Sequence, residues 1–257
     1  MPWPAPTTDD LGRPTAPRRG SIRRLLAALP LLAFTACRFG APPGSNTQGQ
    51  HISNLYQLLF YAAIPIAVIV YGLILFSILR WRRRRGDPDR MPPQFRYHIP
   101  LELTYVAIPL LLVAGLFVAI YNTEKHIDAV SANPDLRVDV TAFQWQWRFA
   151  YPQYGIDIVG SPARNPTLVV PADSTVQIRL FSSDVAHAFY VPDFLFKRDA
   201  IPGHPNVFDF TDIHPGTYRG ECAEFCGLDH AYMNFTLRAL PPAQFQMWVQ
   251  QHRRGST

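Results

Sequence analysis

Two long uncharged apolar stretches, separated by a dense run of arginine, set the strongest limit on what this chain can become. Residues 55–79 (LYQLLFYAAIPIAVIVYGLILFSIL) carry no charged side chain over 25 positions. That is about 37 Å of helix, enough to cross a bilayer. Residues 103–121 form a second such run. Each holds one proline, Pro65 and Pro109, which a membrane helix tolerates where a neighbour re-satisfies the freed carbonyl. Between the runs lies RWRRRRGDPDR, residues 80–90, with five arginines in its first six positions. Arginine directly after a span marks the cytoplasmic side. The pattern predicts a transmembrane hairpin over 51–126, with spans near 55–79 and 102–122. Both the N-terminus and everything after residue 122 then lie outside the cytoplasm.

Charge follows the same division. Residues 1–133 hold 14 Lys+Arg against 7 Asp+Glu, while residues 134–257 hold 10 against 12. The basic character belongs to the membrane half, and the C-terminal half is slightly acidic. A nucleic-acid-binding domain needs a basic face on the folded part, so nucleic acid is excluded as a partner.

The first 36 residues read as an export signal. Arg18, Arg19, Arg23 and Arg24 precede an apolar run from Leu25 to Phe34, then Thr35, Ala36 and Cys37. A basic region followed by a short apolar region is what secretion requires, and ten apolar residues are too few to anchor the chain. The small residues before Cys37 resemble the lipobox of bacterial lipoproteins, although Phe34 stands where leucine is usual. Two readings of Cys37 stand: a lipidated N-terminus, or a bystander after ordinary cleavage. Residues 37–50, rich in Gly, Pro, Ser, Asn and Gln, read as a linker.

From about residue 134 the texture changes to short β-rich runs. LRVDVTA (136–142), TLVV (167–170), STVQIRLFS (174–182), NVFDFT (206–211), TYRGEC (217–222) and MNFTLRAL (233–240) are separated by Pro, Gly, Asp and Asn. Apolar and polar residues alternate in STVQIRL, as in a half-buried strand. Strands at this spacing point to a β-sandwich or small barrel over 134–250. A terminal helix is expected from Pro241-Pro242 through Trp248, with 251–257 as a tail.

The chemistry concentrates in Cys222-Ala-Glu-Phe-Cys226-Gly-Leu-Asp-His230-Ala-Tyr-Met233, with His187 upstream in SSDVAHAFYVPDF. Thiolate, imidazole and thioether form a soft donor set that suits copper better than hard cations. Zinc would leave Met233 without a role. A single cysteine with His and Met is the blue-copper pattern, and a second cysteine four positions on lets two thiolates bridge two metal ions. A disulfide between Cys222 and Cys226 is the competing reading in an oxidising compartment. It accounts for the thiols alone.

This string matches the C-x-E-x-C-G-x-x-H-x-x-M signature of the dinuclear copper (CuA) domain, and the chain resembles cytochrome c oxidase subunit II from about residue 51 to 250. The resemblance implies a two-helix membrane hairpin followed by a cupredoxin-like Greek-key β-sandwich. It implies that Cys222 and Cys226 bridge two coppers, with His187 and Met233 completing one, and His230 and the Glu224 carbonyl the other. The Glu224 carboxylate would help bind Mg2+ at the boundary with subunit I. Trp145, in Phe143-Gln144-Trp145-Gln146-Trp147, would receive electrons from cytochrome c. Core packing is its alternative, since alternation points Trp145 and Trp147 to one face. Glu102, in PLELTY, would mark the mouth of a proton path, or else simply reach toward water at the membrane edge. Lys197-Arg198-Asp199-Ala-Ile-Pro202-Gly203 would face subunit I. Ala188 departs from the family, which usually has serine there, but supplies no metal atom.

The implied activity is that of the electron-transfer subunit of an aerobic respiratory oxidase in a bacterial plasma membrane. Partners would be subunit I, which carries the oxygen chemistry, and cytochrome c. A quinol oxidase subunit II would lack the copper donors. The copper subunit of a nitric oxide reductase would share them, and a metal-free lipoprotein anchor would need none.

Overall fold

The computed structural model describes residues 43–82, 91, 94 and 96–254. The export signal, Cys37, most of the arginine run and residues 255–257 lie outside the described residues.

Among the described residues, helix α1 (Thr47–Trp81) and helix α2 (Ile99–Ile127) are the two helices long and apolar enough to cross a membrane. Side chains such as Ile69, Leu73, Leu110 and Leu111 stand exposed along them, which is how a span presents itself to lipid. Helix α1 begins inside the stretch read as linker. The cause is a built cap: buried Asn46 accepts the Gly49 N–H at 2.9 Å through its side chain, as an N-cap residue should. The same segment is sewn to the β-domain. Ser45 N–H donates to the Asp193 carbonyl (3.0 Å), Thr47 N–H to the Thr211 carbonyl (3.1 Å), and Gln48 accepts the Thr211 N–H (3.0 Å). Gly49 lies against the Phe194 carbonyl, where an added Cβ would sit 2.7 Å from that oxygen.

Ten strands follow among the described residues: β1 (Leu136–Phe143), β2 (Gln146–Tyr151), β3 (Ile156–Val159), β4 (Thr167–Pro171), β5 (Val176–Ser182), β6 (His187–Val191), β7 (Phe196–Ala200), β8 (Asn206–Phe210), β9 (Gly216–Cys222) and β10 (Asn234–Leu240). They form two five-stranded sheets, in the orders β3-β2-β1-β5-β8 and β4-β10-β9-β6-β7. The chain crosses repeatedly between sheets, which gives the cupredoxin-like sandwich expected. Two pairs, β1 with β5 and β4 with β10, run parallel, and the remaining pairs are antiparallel. Helix α3 (Pro242–Arg254) closes the chain and runs past Trp248 into the stretch read as a tail. It caps the sandwich through Trp248, whose ring meets Tyr151 at 5.3 Å.

The core is aromatic. Phe189 of β6, fully buried, stacks on Phe235 of β10 at 4.7 Å and meets Trp147 of β2 edge-on at 5.8 Å. Such pairs contribute about 0.5–1.5 kcal/mol each beyond their buried area. This packing rules out the expected common face for Trp145 and Trp147. Phe143 pairs with Gln146, so Trp145 sits in the two-residue turn between β1 and β2, while Trp147 is fully buried.

Candidate metal centre

The donor loop is placed by sheet register. Strand β9 ends on Cys222, and β10 begins one residue after Met233, so the intervening loop folds over the end of two adjacent strands. Cys222 N–H donates to the Met233 carbonyl at 3.0 Å, closing the base of that loop. On the other side β9 pairs with β6 through Phe189 opposite Cys222. His187, two residues earlier on β6, therefore overhangs the same loop.

The result is a cage of soft donors. His187, Cys222 and Cys226 are all buried, with ligand atoms within 4.8 Å of one another. The two Sγ atoms stand 3.9 Å apart, and the thiols are free rather than joined. Cys222 Sγ lies 3.9 Å from His187 Nδ1 and 3.3 Å from the Glu224 carbonyl oxygen. Cys226 Sγ lies 3.6 Å from His230 Nδ1 and 3.8 Å from Met233 Sδ. Thus all six positions converge: His187 and the Glu224 carbonyl lie beside Cys222, and His230 and Met233 beside Cys226, so each expected pair draws one donor from beside each sulfur.

The thiols ionise unequally. Burial opposes ionisation of Cys222, but the bonds it makes with His187, with the backbone of Ala188 and Glu224 and with His230 together outweigh it and hold the thiol down at about 7. Burial and the neighbouring Cys222 charge push Cys226 up to about 12. A metal ion held by both sulfurs would need both as thiolates, so its uptake would release protons. Burial also opposes the charged form of His187, yet its bonds to Cys222 and Asp184 raise its pKa overall.

Asp184 and Gln144 are the residues that sequence reasoning missed. Asp184 Oδ1 sits 2.8 Å from His187 Nε2, and its Oδ2 accepts the Gln144 N–H at 2.7 Å. Burial works against the Asp184 charge, but the His187 bond and the N–H groups of Gln144 and Val185 keep its pKa below the usual value. An acid three residues before a candidate ligand histidine, as in Ser-Asp-Val-Ala-His, was the available signal, because such a partner orients the ring.

Trp145 is half-buried at the rim. Its indole Nε1–H donates to the Cys226 carbonyl at 3.1 Å, and the Gln144 side-chain amide donates to the same oxygen at 2.8 Å. Gly227 makes this approach possible: at φ +123°, a Cβ there would meet the indole nitrogen at 3.1 Å. The Glu224 carboxylate pairs with Lys197 Nζ at 3.5 Å, which also meets Asp199. Arg198 instead pairs with Asp128 at the end of α2.

Glu102 lies elsewhere. It stands in the first turn of α2, about 38 Å of helix from the end that meets the β-domain. Its carboxylate accepts the His98 N–H at 2.9 Å, while His98 Nδ1 accepts the Leu101 N–H at 3.3 Å. This reciprocal arrangement satisfies two of the orphan donors at the helix start.

Comparison with known proteins points to one family. A family model described as the periplasmic domain of cytochrome c oxidase subunit II matches residues 162–240. A probable cytochrome c oxidase subunit 2 of Nocardia farcinica is 31% identical, covering 97% of this chain and 87% of its own. Another from Streptomyces coelicolor is 33% identical, covering 96% and 92%. The crystal structure of the periplasmic domain of a Bradyrhizobium japonicum cytochrome oxidase subunit II is similar to half of this chain and all of its own, at 30% identity and a TM-score of 0.46. With relatives above 30% identity aligned along nearly the whole of both chains, and the cysteine-histidine cage in place, this chain belongs to the cytochrome c oxidase subunit II family.

Proposed function

We propose that this chain is the electron-accepting subunit of an aerobic respiratory oxidase, built to hold two copper ions between Cys222 and Cys226. The single observation carrying this reading is the pair of unlinked, buried sulfurs 3.9 Å apart, each flanked by one imidazole Nδ1. The donor chemistry fits copper: two thiolates, two imidazoles, one thioether and one carbonyl are soft to borderline. His187 and Met233 would serve one ion, and His230 and the Glu224 carbonyl the other. When bound, such a pair supplies a one-electron site whose charge is shared over two metals. The protein's part is to hold the donors in a dry, pre-formed cage, so that little rearranges when an electron arrives.

Trp145 is the route inward from a c-type cytochrome, supported by its position at the rim and its direct bond to the Cys226 carbonyl. Electrons then pass to a haem-bearing subunit I, where oxygen is reduced to water. The Glu224 carboxylate, with the Lys197–Gly203 segment, would meet that subunit. A shared Mg2+ there requires Glu224 to leave Lys197 and needs further ligands from the partner. Glu102, at the cytoplasmic end of α2, would serve a proton path in subunit I. The β-domain faces the outside of a bacterial plasma membrane, because the arginine run after the first span holds the loop between helices inside.

Copper loading of the full chain tests the reading. Two coppers per chain are expected, with near-infrared absorption and a mixed-valence spin signal. At most one copper, or a Cys222–Cys226 disulfide in freshly isolated protein, would defeat it. Trp145→Ala is expected to leave copper content near two while slowing electron uptake from reduced cytochrome c by roughly tenfold or more, equivalent to about 1.4 kcal/mol on the barrier. Equal stopped-flow rates would remove Trp145 from the route.

A further inference from the structure

A closed ring of hydrogen bonds joins the ligand cage to the Trp145 turn. Asp184 is its keystone. One carboxylate oxygen takes the His187 Nε2–H at 2.8 Å, and the other takes the Gln144 N–H at 2.7 Å. With Nε2 engaged, the lone pair of His187 is directed from Nδ1 toward Cys222, since a neutral imidazole has one donor and one acceptor nitrogen. From Gln144 the ring continues through its side-chain amide to the Cys226 carbonyl at 2.8 Å, which also accepts the Trp145 indole N–H at 3.1 Å. A carbonyl has two lone pairs, and here consecutive residues of one turn fill both. The circuit closes through the two sulfurs back to His187.

We propose that Asp184 is a positioning residue that locks the His187 imidazole and the Gln144–Trp145 turn into a single unit, with Gln144 as the second clamp on the indole. The functional consequence rests on the electron-transfer reading above: the donor-side aromatic and the cage move together, so their separation does not fluctuate. The hydrogen-bond ring itself does not depend on that reading. No other carboxylate meets His187 among the described hydrogen bonds.

The test uses the full chain in detergent, first without copper. The readout is exchange of the Trp145 indole N–H, assigned by its loss in Trp145→Phe. Asp184→Asn keeps the shape, but its single oxygen can serve only one of the two donors. Exchange at Trp145 is expected to quicken about tenfold in Asp184→Asn and in Gln144→Leu, the change expected for one hydrogen bond. The Trp147 indole, which donates to the Met233 carbonyl at 3.3 Å, is the internal control and should not move. General destabilisation would quicken both. After copper loading, Asp184→Asn should also shift the near-infrared band, because it releases a ligand imidazole, while Gln144→Leu should not. Unchanged Trp145 exchange in Asp184→Asn, or equal quickening at Trp145 and Trp147, overturns the proposal. Should the native chain take up no copper while Trp145 alone responds, the ring stands and the electron-transfer reading falls.

Discussion

Replacing Cys226 by serine is expected to abolish the proposed dinuclear copper centre outright while leaving the chain folded. Cys226 Sγ is the hub of the cage, 3.9 Å from Cys222 Sγ, 3.6 Å from His230 Nδ1 and 3.8 Å from Met233 Sδ. Serine keeps the shape but offers a hard oxygen that stays protonated and cannot bridge two soft metal ions. Copper content should fall from two to at most one per chain. The near-infrared band and the mixed-valence signal should vanish, and electron uptake from cytochrome c with them. The chain should still fold: Cys226 is buried, and placing a hydroxyl there costs about 1–3 kcal/mol in urea unfolding of the metal-free chain. An unaltered spectrum in Cys226→Ser would rule out the bridging role.

Trp147→Ala should have the opposite profile, a large loss of stability before any effect on chemistry is read. The indole is fully buried. It meets Phe235 at 5.3 Å, Phe189 at 5.8 Å and His187 at 6.5 Å. Removing a buried tryptophan costs about 3–5 kcal/mol, and the Met233 carbonyl would lose the indole N–H it accepts. Since whole domains are stable by only about 5–15 kcal/mol, the β-domain should unfold at markedly lower urea, measured on the metal-free chain in detergent. A loss below about 1 kcal/mol would show that this side chain does not hold the two sheets together. The contrast with Trp145→Ala separates two tryptophans that stand two positions apart in sequence.

Those two residues also mark the limit of reading the sequence alone. Period-two alternation put both on one face, but the chain turns between Phe143 and Gln146, so one ring reaches the rim and the other the core. The strands with clear alternation, such as β5, were legible. Strands β6 and β7 were not. In β6 four of five residues are buried, so its faces do not alternate in polarity, and β7 carries charges that pair across the surface rather than marking a loop. Strand β3 has only four residues, too few for a pattern. The segment before the first helix failed for a related reason. Its small polar residues look like a flexible linker, and only their partners on the β-domain make them a cap.

What the sequence by itself determined was whatever depends on local composition. An uncharged run long enough for a bilayer, arginines at its end, and a soft donor set within twelve residues each carry their physical meaning wherever the chain goes. What only the tertiary structure decided depends on long-range pairing: His187 reaches a loop 35 residues away because β6 lies beside β9, with Phe189 opposite Cys222. The same holds for Asp184 and Gln144, which are 40 residues apart and ordinary in isolation. Hydrogen bonds form between neighbours in space, and sequence separation does not encode that distance.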